Sequence, residues 1–395
     1  MQPGSPTHDV ALVQLKKDLA RSIRQGQPWL YRDAIAAPDG LDSGSVVEVR
    51  TRDGRALARG FYDARSPIAI RLLQTGGPGF RFSPIDSLVR QRLRSALERR
   101  LEQLDLTVTN AFRWVHGEAD LLPGIHVDVY GGTAVLRFDG EGSRAFYQPL
   151  GDRLLEAADG LLKLQGVIDR DARPAGAARE IEVVENAVRF GVDLAHGQKG
   201  GLFLDQRENR MRVAECAEGQ SVLNLFGYTG GFSVHAAMAG AERTDTVDIA
   251  KPAIEAARRN FERNGLPLDA AGLHTMDVFE FLARAIRDGE QWDIVVSDPP
   301  SFAPRREAVP AARQAYTRLH RLAAAVTRPG GLLCAASCSS HVGEGEFLAS
   351  LEQGVRSASL EWELRSLHGA AFDHPVIAAF PQGNYLKFAM GRISY

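Results

Sequence analysis

Ser221-Val222-Leu223-Asn224-Leu225-Phe226-Gly227-Tyr228-Thr229-Gly230-Gly231 is a largely apolar run that stops on a glycine-rich turn. A short run of this kind, closed by glycines, reads as a buried strand feeding a tight loop. Downstream the pattern repeats. Phe232 to Ala239 reads as a helix, Thr244 to Asp248 as a strand, and Pro252 to Asn264 as a helix with proline in its first turn. A strand near Leu273 to Met276, a helix from Val278 to Asp288 and the strand Trp292-Asp293-Ile294-Val295-Val296-Ser297 follow. Ala312 to Val326 reads as a helix, Pro329-Gly330-Gly331 as its stop, and Leu332 to Ala336 as one more strand. Successive βα units predict an α/β fold with a doubly wound, mostly parallel sheet, whose ligands sit at the carboxyl ends of the strands.

Upstream the texture changes. Leu15 to Arg24 suits one basic helical stretch, and the alternating runs Ser45 to Arg50, Ala56 to Tyr62 and Ile68 to Leu72 suit strands, with Asp53-Gly54 as a hairpin signal. From Pro84 a helix is predicted with Leu88, Leu93, Leu97 and Leu101 on its apolar face. Arg90, Arg92, Arg94, Arg99 and Arg100 are expected on its solvated side. Strands near Ile125 to Tyr130 and Ala134 to Phe138, a helix from Tyr147 to Ala158 and a strand at Val167-Ile168 complete a small α+β unit. Asp171 to Arg179 reads as an exposed loop. The expected organisation is a loose tail over 1–9, a β-rich module over 10–80, an α+β unit over 81–180 and the α/β domain over 181–395.

With 395 residues the chain exceeds one ordinary domain. The 47 basic side chains nearly match the 49 acidic ones, so overall charge selects no partner. Cys216, Cys334 and Cys338 are too few for a disulfide framework and lack Cys-x-x-Cys spacing, so no metal site is expected and a reducing cytoplasm is the simplest compartment. No apolar run reaches membrane-spanning length. Whether the chain forms a homodimer is open at this level.

A glycine loop after the first strand and an acid ending the second are shared by nucleotide-binding folds. Here the loop after Phe226, Gly227-Tyr228-Thr229-Gly230-Gly231, lacks the Gly-x-Gly-x-x-Gly spacing that cradles a pyrophosphate. Asp248, with Ile249, stands where a ribose-binding acid belongs. Asp277, with Val278, ends the next strand beside an expected adenine, and Asp298 ends the fourth. This ordered series suits S-adenosylmethionine better than a dinucleotide. The turn Asp298-Pro299-Pro300-Ser301-Phe302 is rigid, because proline fixes φ and restricts the residue before it. Its carboxylate and carbonyls suit the edge of a flat base, and Phe302 suits stacking on it. Cys338, in Ser337-Cys338-Ser339, ends the neighbouring strand. A thiolate there can add to carbon 6 of a pyrimidine and make carbon 5 nucleophilic. Cys334 is expected in the core, and Cys216 in the core or at the surface.

Taken together, these segments resemble the RlmI-like large-subunit ribosomal RNA cytosine carbon-5 methyltransferases. The resemblance runs from about Gly26 to the C-terminus. It is carried by His196 to Arg207, Asn224 to Phe232, Asp298 to Phe302, Ser337 to Ser339, Asp373-His374-Pro375-Val376 and Leu121-Leu122-Pro123-Gly124-Ile125. It implies a Rossmann-like class I methyltransferase domain preceded by a β-barrel PUA-like RNA-binding domain and a small α+β domain. It also implies S-adenosylmethionine as cofactor, RNA as partner, and Lys199, Phe203, Asp205 and Arg207 near the cofactor. Cys338 and Asp298 are the expected catalytic residues, and Pro299, Pro300 and Phe302 the expected substrate contacts. Asp-Pro-Pro-x-Phe also occurs in guanine methyltransferases, which need no cysteine. A non-catalytic RNA-binding or ribosome-assembly factor is the rival of another class. His374 is a candidate for the base that removes the carbon-5 proton.

Overall fold

The computed structural model describes residues 10–77, 80–148, 150–172, 180–194, 201–303 and 305–395. The expected tail over 1–9, Lys199, and residues 173–179 of the expected loop lie outside them. The chain divides into two compact units. One comprises Met1–Leu106, Phe112–Pro174 and Asp373–Gly383; the other comprises Thr107–Ala111, Ala175–Phe372 and Asn384–Tyr395.

The first unit carries two sheets. One contains β1 (Ala11–Leu15), β2 (Trp29–Tyr31), β3 (Ile35–Ala36), β4 (Val46–Arg50), β5 (Ala56–Tyr62) and β6 (Ile68–Thr75), in the order β2-β6-β5-β4-β1-β3. The expected helix from Leu15 is mostly not formed, since α1 covers only Ala20–Arg24. The reason is periodicity. Val13 and Leu15 are buried while Leu12 and Gln14 are exposed, a period of two, and Val13 pairs in parallel with Val49 of β4.

The other sheet runs β10-β9-β8-β7, from β7 (Ala111–His116), β8 (Ile125–Tyr130), β9 (Thr133–Phe138) and β10 (Gly166–Asp169). Helix α2 (Ile85–Leu101) buries Val89, Leu93 and Leu97 among Trp114, Val127 and Leu154. The expected helix Tyr147 to Ala158 is two, α3 (Glu141–Tyr147) and α4 (Leu150–Ala158), with Pro149 between them in the sequence. Arg100 also departs from expectation. It is 2% exposed, and its guanidinium donates to both oxygens of the buried Asp120 at 2.6 and 2.7 Å. Helical phase places it on the inner side of α2, where it needs a carboxylate.

In the second unit, the hairpin β11 (Glu180–Glu185) and β12 (Val188–Asp193) turns through Asn186 and Ala187, both at positive φ. After α5 (Arg207–Ala214) comes the α/β sheet, with strands β13 (Ser221–Leu225), β14 (Arg243–Asp248), β15 (Ala271–Thr275), β16 (Trp292–Ser297), β17 (Thr327–Ser337), β18 (Glu361–His368) and β19 (Lys387–Ser394). Their order is β15-β14-β13-β16-β17-β19-β18, parallel except for β19, which is antiparallel to both neighbours. Alternation along the strands supplies both faces of the sheet. Leu223, Leu225 and Val295 pack in one apolar cluster, and Val222, Ile294, Val296 and Cys334 in another. Helices α8 (Val278–Asp288), α9 (Val309–Ala325) and α10 (Glu344–Arg356) serve the first cluster. Helices α5 and α6 (Gly231–Met238) serve the second, and α7 (Lys251–Arg263) lies along β14, β15 and β12.

Pro329-Gly330-Gly331 does not separate helix from strand. It lies inside β17 as a bulge, since Trp292 pairs with Thr327 but Ile294 pairs with Leu332, and Gly330 takes φ +85°. No helix among the described residues is long and apolar enough to cross a membrane.

Candidate active site

The strand order reverses around β13, with β14 on one side and β16 on the other, which opens a crevice at the carboxyl ends of these strands. A cavity of about 640 Å³ occupies it, a size that suits a nucleoside-containing ligand. Its wall is built from the ends of successive strands. After β13 the loop places Phe226 and Tyr228 at φ +56° and +47°, and Gly230 at +81°, immediately before α6. A Cβ on Gly227 would lie 2.4 Å from Thr246 Cγ2, so this position admits only glycine without displacement.

The loop is fastened on three sides. Asp248 accepts from the Tyr228 amide at 3.0 Å and, through its other oxygen, from the Ala250 amide at 2.8 Å. Thr229 Oγ1 donates to the Gly201 carbonyl at 3.1 Å, and Asn260 Nδ2 donates to the Thr229 carbonyl at 2.9 Å. Asp277 caps α8, accepting from the Phe279 and Glu280 amides. Asp298, just beyond β16, accepts from Gln206 Nε2 at 3.0 Å. The Phe203 ring meets Tyr228 edge to face at 5.4 Å, and the Tyr385 hydroxyl donates to Asp205.

The cavity gathers Phe203, Asp205, Phe226, Gly227, Tyr228, Thr229, Asp248, Ile249, Asp277, Val278, Asp298, Pro299, Pro300 and Cys338. Three other expected site residues do not line it. Arg207 is buried with its guanidinium over Phe372, Gly230 is the left-handed N-cap of α6, where a Cβ would meet Ala257, and Phe302 packs on Tyr316, ring centroids 4.9 Å apart. Phe302 is thus part of the packing under the turn, which fits its apolar ring. Cys338 is partly exposed, with Sγ 4.0 Å from the Pro299 carbonyl, whereas Cys334 is fully buried and burial pushes its thiol pKa up strongly. Cys216 is exposed. His374 belongs to the other unit. It is buried there against the Asp373 carboxylate at 2.9 Å and the His116 ring at 5.1 Å, a structural setting and not that of an accessible base.

Several residues that sequence reasoning passed over hold this wall. Glu185 accepts from Arg210 through both oxygens at 2.6 and 2.7 Å and contacts His235 Nε2 at 3.1 Å, all three side chains being buried. Arg210 also donates to the Phe203 carbonyl at 2.8 Å. Opposite charges 25 residues apart leave no local signal. Gln206 was within reach, because it sits in the His196 to Arg207 motif.

Burial would raise the Glu185 carboxyl, but the charge of Arg210 and the His235 and Arg210 hydrogen bonds outweigh it and hold the group at about 2. Burial lowers His235, His116 and His126, and brings His320 to about 3. A histidine lowered in the folded state leaves the unfolded chain to bind the proton below about 6.5, so stability is complete above that pH and declines beneath it. Glu185 adds its own loss only between its ordinary value of 4.5 and about 2. The urea midpoint is therefore expected to be lower at pH 5.5 than at pH 7.5, before any carboxylate titrates. Equal midpoints would show that these histidines do not govern acid stability.

The residues present fit S-adenosylmethionine. A carboxylate stands at the end of β14 for ribose hydroxyls, the glycine loop brings backbone to the cavity, and among the described residues that loop lacks the spacing that cradles a pyrophosphate. Asn224, also in the wall, has a buried Oδ1 without a hydrogen-bond partner among the described residues. Fold and site together define a methyltransferase that uses S-adenosylmethionine.

Comparison with known proteins agrees. Residues 174–372 match the family described as S-adenosylmethionine-dependent methyltransferase, and residues 13–75 match a PUA-like domain. The chain belongs to the family of ribosomal RNA large subunit methyltransferases. It is 31% identical to ribosomal RNA large subunit methyltransferase I of Photobacterium profundum over 95% of this chain and 97% of that one. It is 35% identical to the ribosomal RNA large subunit methyltransferase of Deinococcus radiodurans over 95% of each. A solved Streptococcus mutans structure, described as a SAM-dependent methyltransferase, shares the fold with a TM-score of 0.80 at 24% identity, covering 97% of this chain and all of that one. The expected PUA-like and Rossmann-like methyltransferase architecture is thereby met.

Proposed function

We propose that this protein methylates carbon 5 of a cytosine in large-subunit ribosomal RNA through a covalent bond to Cys338. The observation that carries the reading is that Cys338 and Asp298-Pro299-Pro300 line the same cavity as the cofactor-side residues Asp248 and Asp277. S-Adenosylmethionine, when bound, supplies an electrophilic methyl group, held by the Phe226 to Thr229 loop, Asp248, Ile249, Asp277 and Val278. The Cys338 thiolate adds to carbon 6, which breaks the ring double bond and places its electron pair on carbon 5. That pair takes the methyl group as the bond from the methyl carbon to the cofactor sulfur breaks and leaves its electrons on that sulfur, and carbon 5 then gives its proton to a base. The electrons of that carbon–hydrogen bond restore the double bond, and those of the carbon–sulfur bond return to sulfur. Asp298, held by Gln206, and the carbonyls of its turn orient the base edge. The target nucleotide is presented unstacked or single-stranded, as chemistry on a base requires.

The division into 10–80, 81–180 and 181–395 is part of the same proposal. RNA is held by the first, PUA-like segment and methylated by the third, in the cytoplasm where ribosomal RNA is made. The relatives' names support the substrate class.

The test is covalent trapping. Protein, S-adenosylmethionine and a ribosomal RNA fragment containing 5-fluorocytosine are expected to give a denaturation-resistant adduct that Cys338→Ala cannot form. Methyl transfer to unmodified RNA without any adduct would favour guanine methylation; no S-adenosylmethionine binding would favour a non-catalytic RNA-binding factor. Asp298→Ala is expected to abolish turnover while calorimetric cofactor affinity stays within about threefold, well under the ~1.4 kcal/mol that a tenfold change represents. Loss of cofactor affinity instead would move Asp298 to the cofactor pocket.

A further inference from the structure

We propose that Lys387 is a positioning residue whose ammonium stabilises the Cys338 thiolate, an inference that rests on Cys338 being the nucleophile. Lys387 opens β19 directly opposite Ser337, the residue before the cysteine. It is 5% exposed, and its Nζ donates to the carbonyls of Ser339 at 2.8 Å and Val342 at 2.9 Å. It thus closes the turn that leaves β17 through Cys338. Lys387 forms no ion pair with a carboxylate among the described residues, which is unusual for a buried ammonium. Two neutral carbonyls take two of its three N–H donors and leave its charge without a counter-ion.

The groups facing this corner come from four elements. Lys387 on β19 is the cation. Burial lowers its pKa, and the neighbouring Cys338 and then Glu344 of α10 raise it. That attraction is reciprocal, so the cation favours the thiolate to the same degree. Tyr316 of α9 bonds Ser337 Oγ at 2.9 Å and Ser339 Oγ at 3.1 Å, and burial raises its pKa, so it stays a neutral phenol. Asp298 beyond β16 lines the cavity with Cys338 and opposes a second negative charge. Lys387 is the group placed to offset it. On ionisation the thiol proton leaves to solvent, and Lys387 keeps its own.

The experiment follows iodoacetamide alkylation of Cys338 against pH in the full-length protein, read by mass spectrometry on the Cys338 peptide so that the exposed Cys216 does not contribute. In the wild type the half-maximal rate is expected below about 8.5, the ordinary thiol value. Lys387→Gln, which retains a donor but not the charge, is expected to move the midpoint up by about one unit and to slow alkylation at pH 7 about tenfold. Lys387→Arg is expected to keep a low midpoint. An ordinary wild-type midpoint overturns the proposal without any variant, as does an unchanged midpoint in a folded Lys387→Gln protein. The nucleophile reading fails separately, if Cys338→Ala still methylates RNA.

Discussion

Cys338→Ala is expected to lower kcat by at least about 10⁴, the scale on which deleting a nucleophile acts in covalent enzymes. Cytosine carbon 5 is too weak a nucleophile to take a methyl group unaided, and the 5-fluorocytosine adduct requires a carbon–sulfur bond. The change should leave the fold intact. Cys338 is partly exposed at a strand end, outside the apolar clusters, so truncation opens no sealed cavity. Cys338→Ser is the companion. Its hydroxyl retains the shape, but is a far poorer anion at neutral pH, so methylation is lost while thermal midpoint and cofactor affinity hold. A single-turnover assay with radiolabelled cofactor checks both, and residual turnover above one-hundredth of wild type would exclude Cys338 as nucleophile.

Glu185→Ala is expected to cost about 3–5 kcal/mol of stability, the range for removing one member of a buried ion pair. The side chains of Glu185, Arg210 and His235 are 0%, 3% and 2% exposed. Without the carboxylate, Arg210 stays buried with its charge uncompensated, and the Phe203 carbonyl it also bonds loses a fixed partner. The loss should therefore reach the cofactor wall. Guanidinium denaturation measures the first effect and calorimetric titration with S-adenosylmethionine the second. The double variant Glu185→Ala, Arg210→Met, which removes both charges, should recover part of the stability. A loss below 1 kcal/mol in the single variant would show that water or backbone motion relieves Arg210.

The α/β half of the chain was legible largely because strands such as β13 and β16 are short, mostly apolar runs closed by a turn. The reading from Ser221 to Ala336 found each strand of the parallel core and the helices between them, erring mainly where Pro329-Gly330-Gly331 lies within β17 as a bulge and not before it. Proline and glycine interrupt regular structure of either kind, so their presence marks irregularity without saying which element holds it. The N-terminal strands β1 to β3 were harder. Lys16-Lys17 and the leucines nearby satisfy a helical spacing over a window too short to distinguish it from alternation.

Local order in the chain determined the chemistry on offer: the glycine loop, the acids ending three successive strands, the Asp-Pro-Pro turn and the cysteine ending the strand beside it. Each is a strand-end signal, and a parallel sheet brings all its strand ends to one edge whatever the intervening helices contain. Tertiary structure decided which side chains support that chemistry. Arg210 finds Glu185, Gln206 finds Asp298, and Lys387 from the last strand closes the turn at Cys338. It also moved Phe302 into the packing against Tyr316 and set His374 in a buried network of its own unit. These pairings join residues far apart in the chain and follow no sequence period, because a buried charge or hydrogen-bonding group takes whichever partner the packed core presents to it.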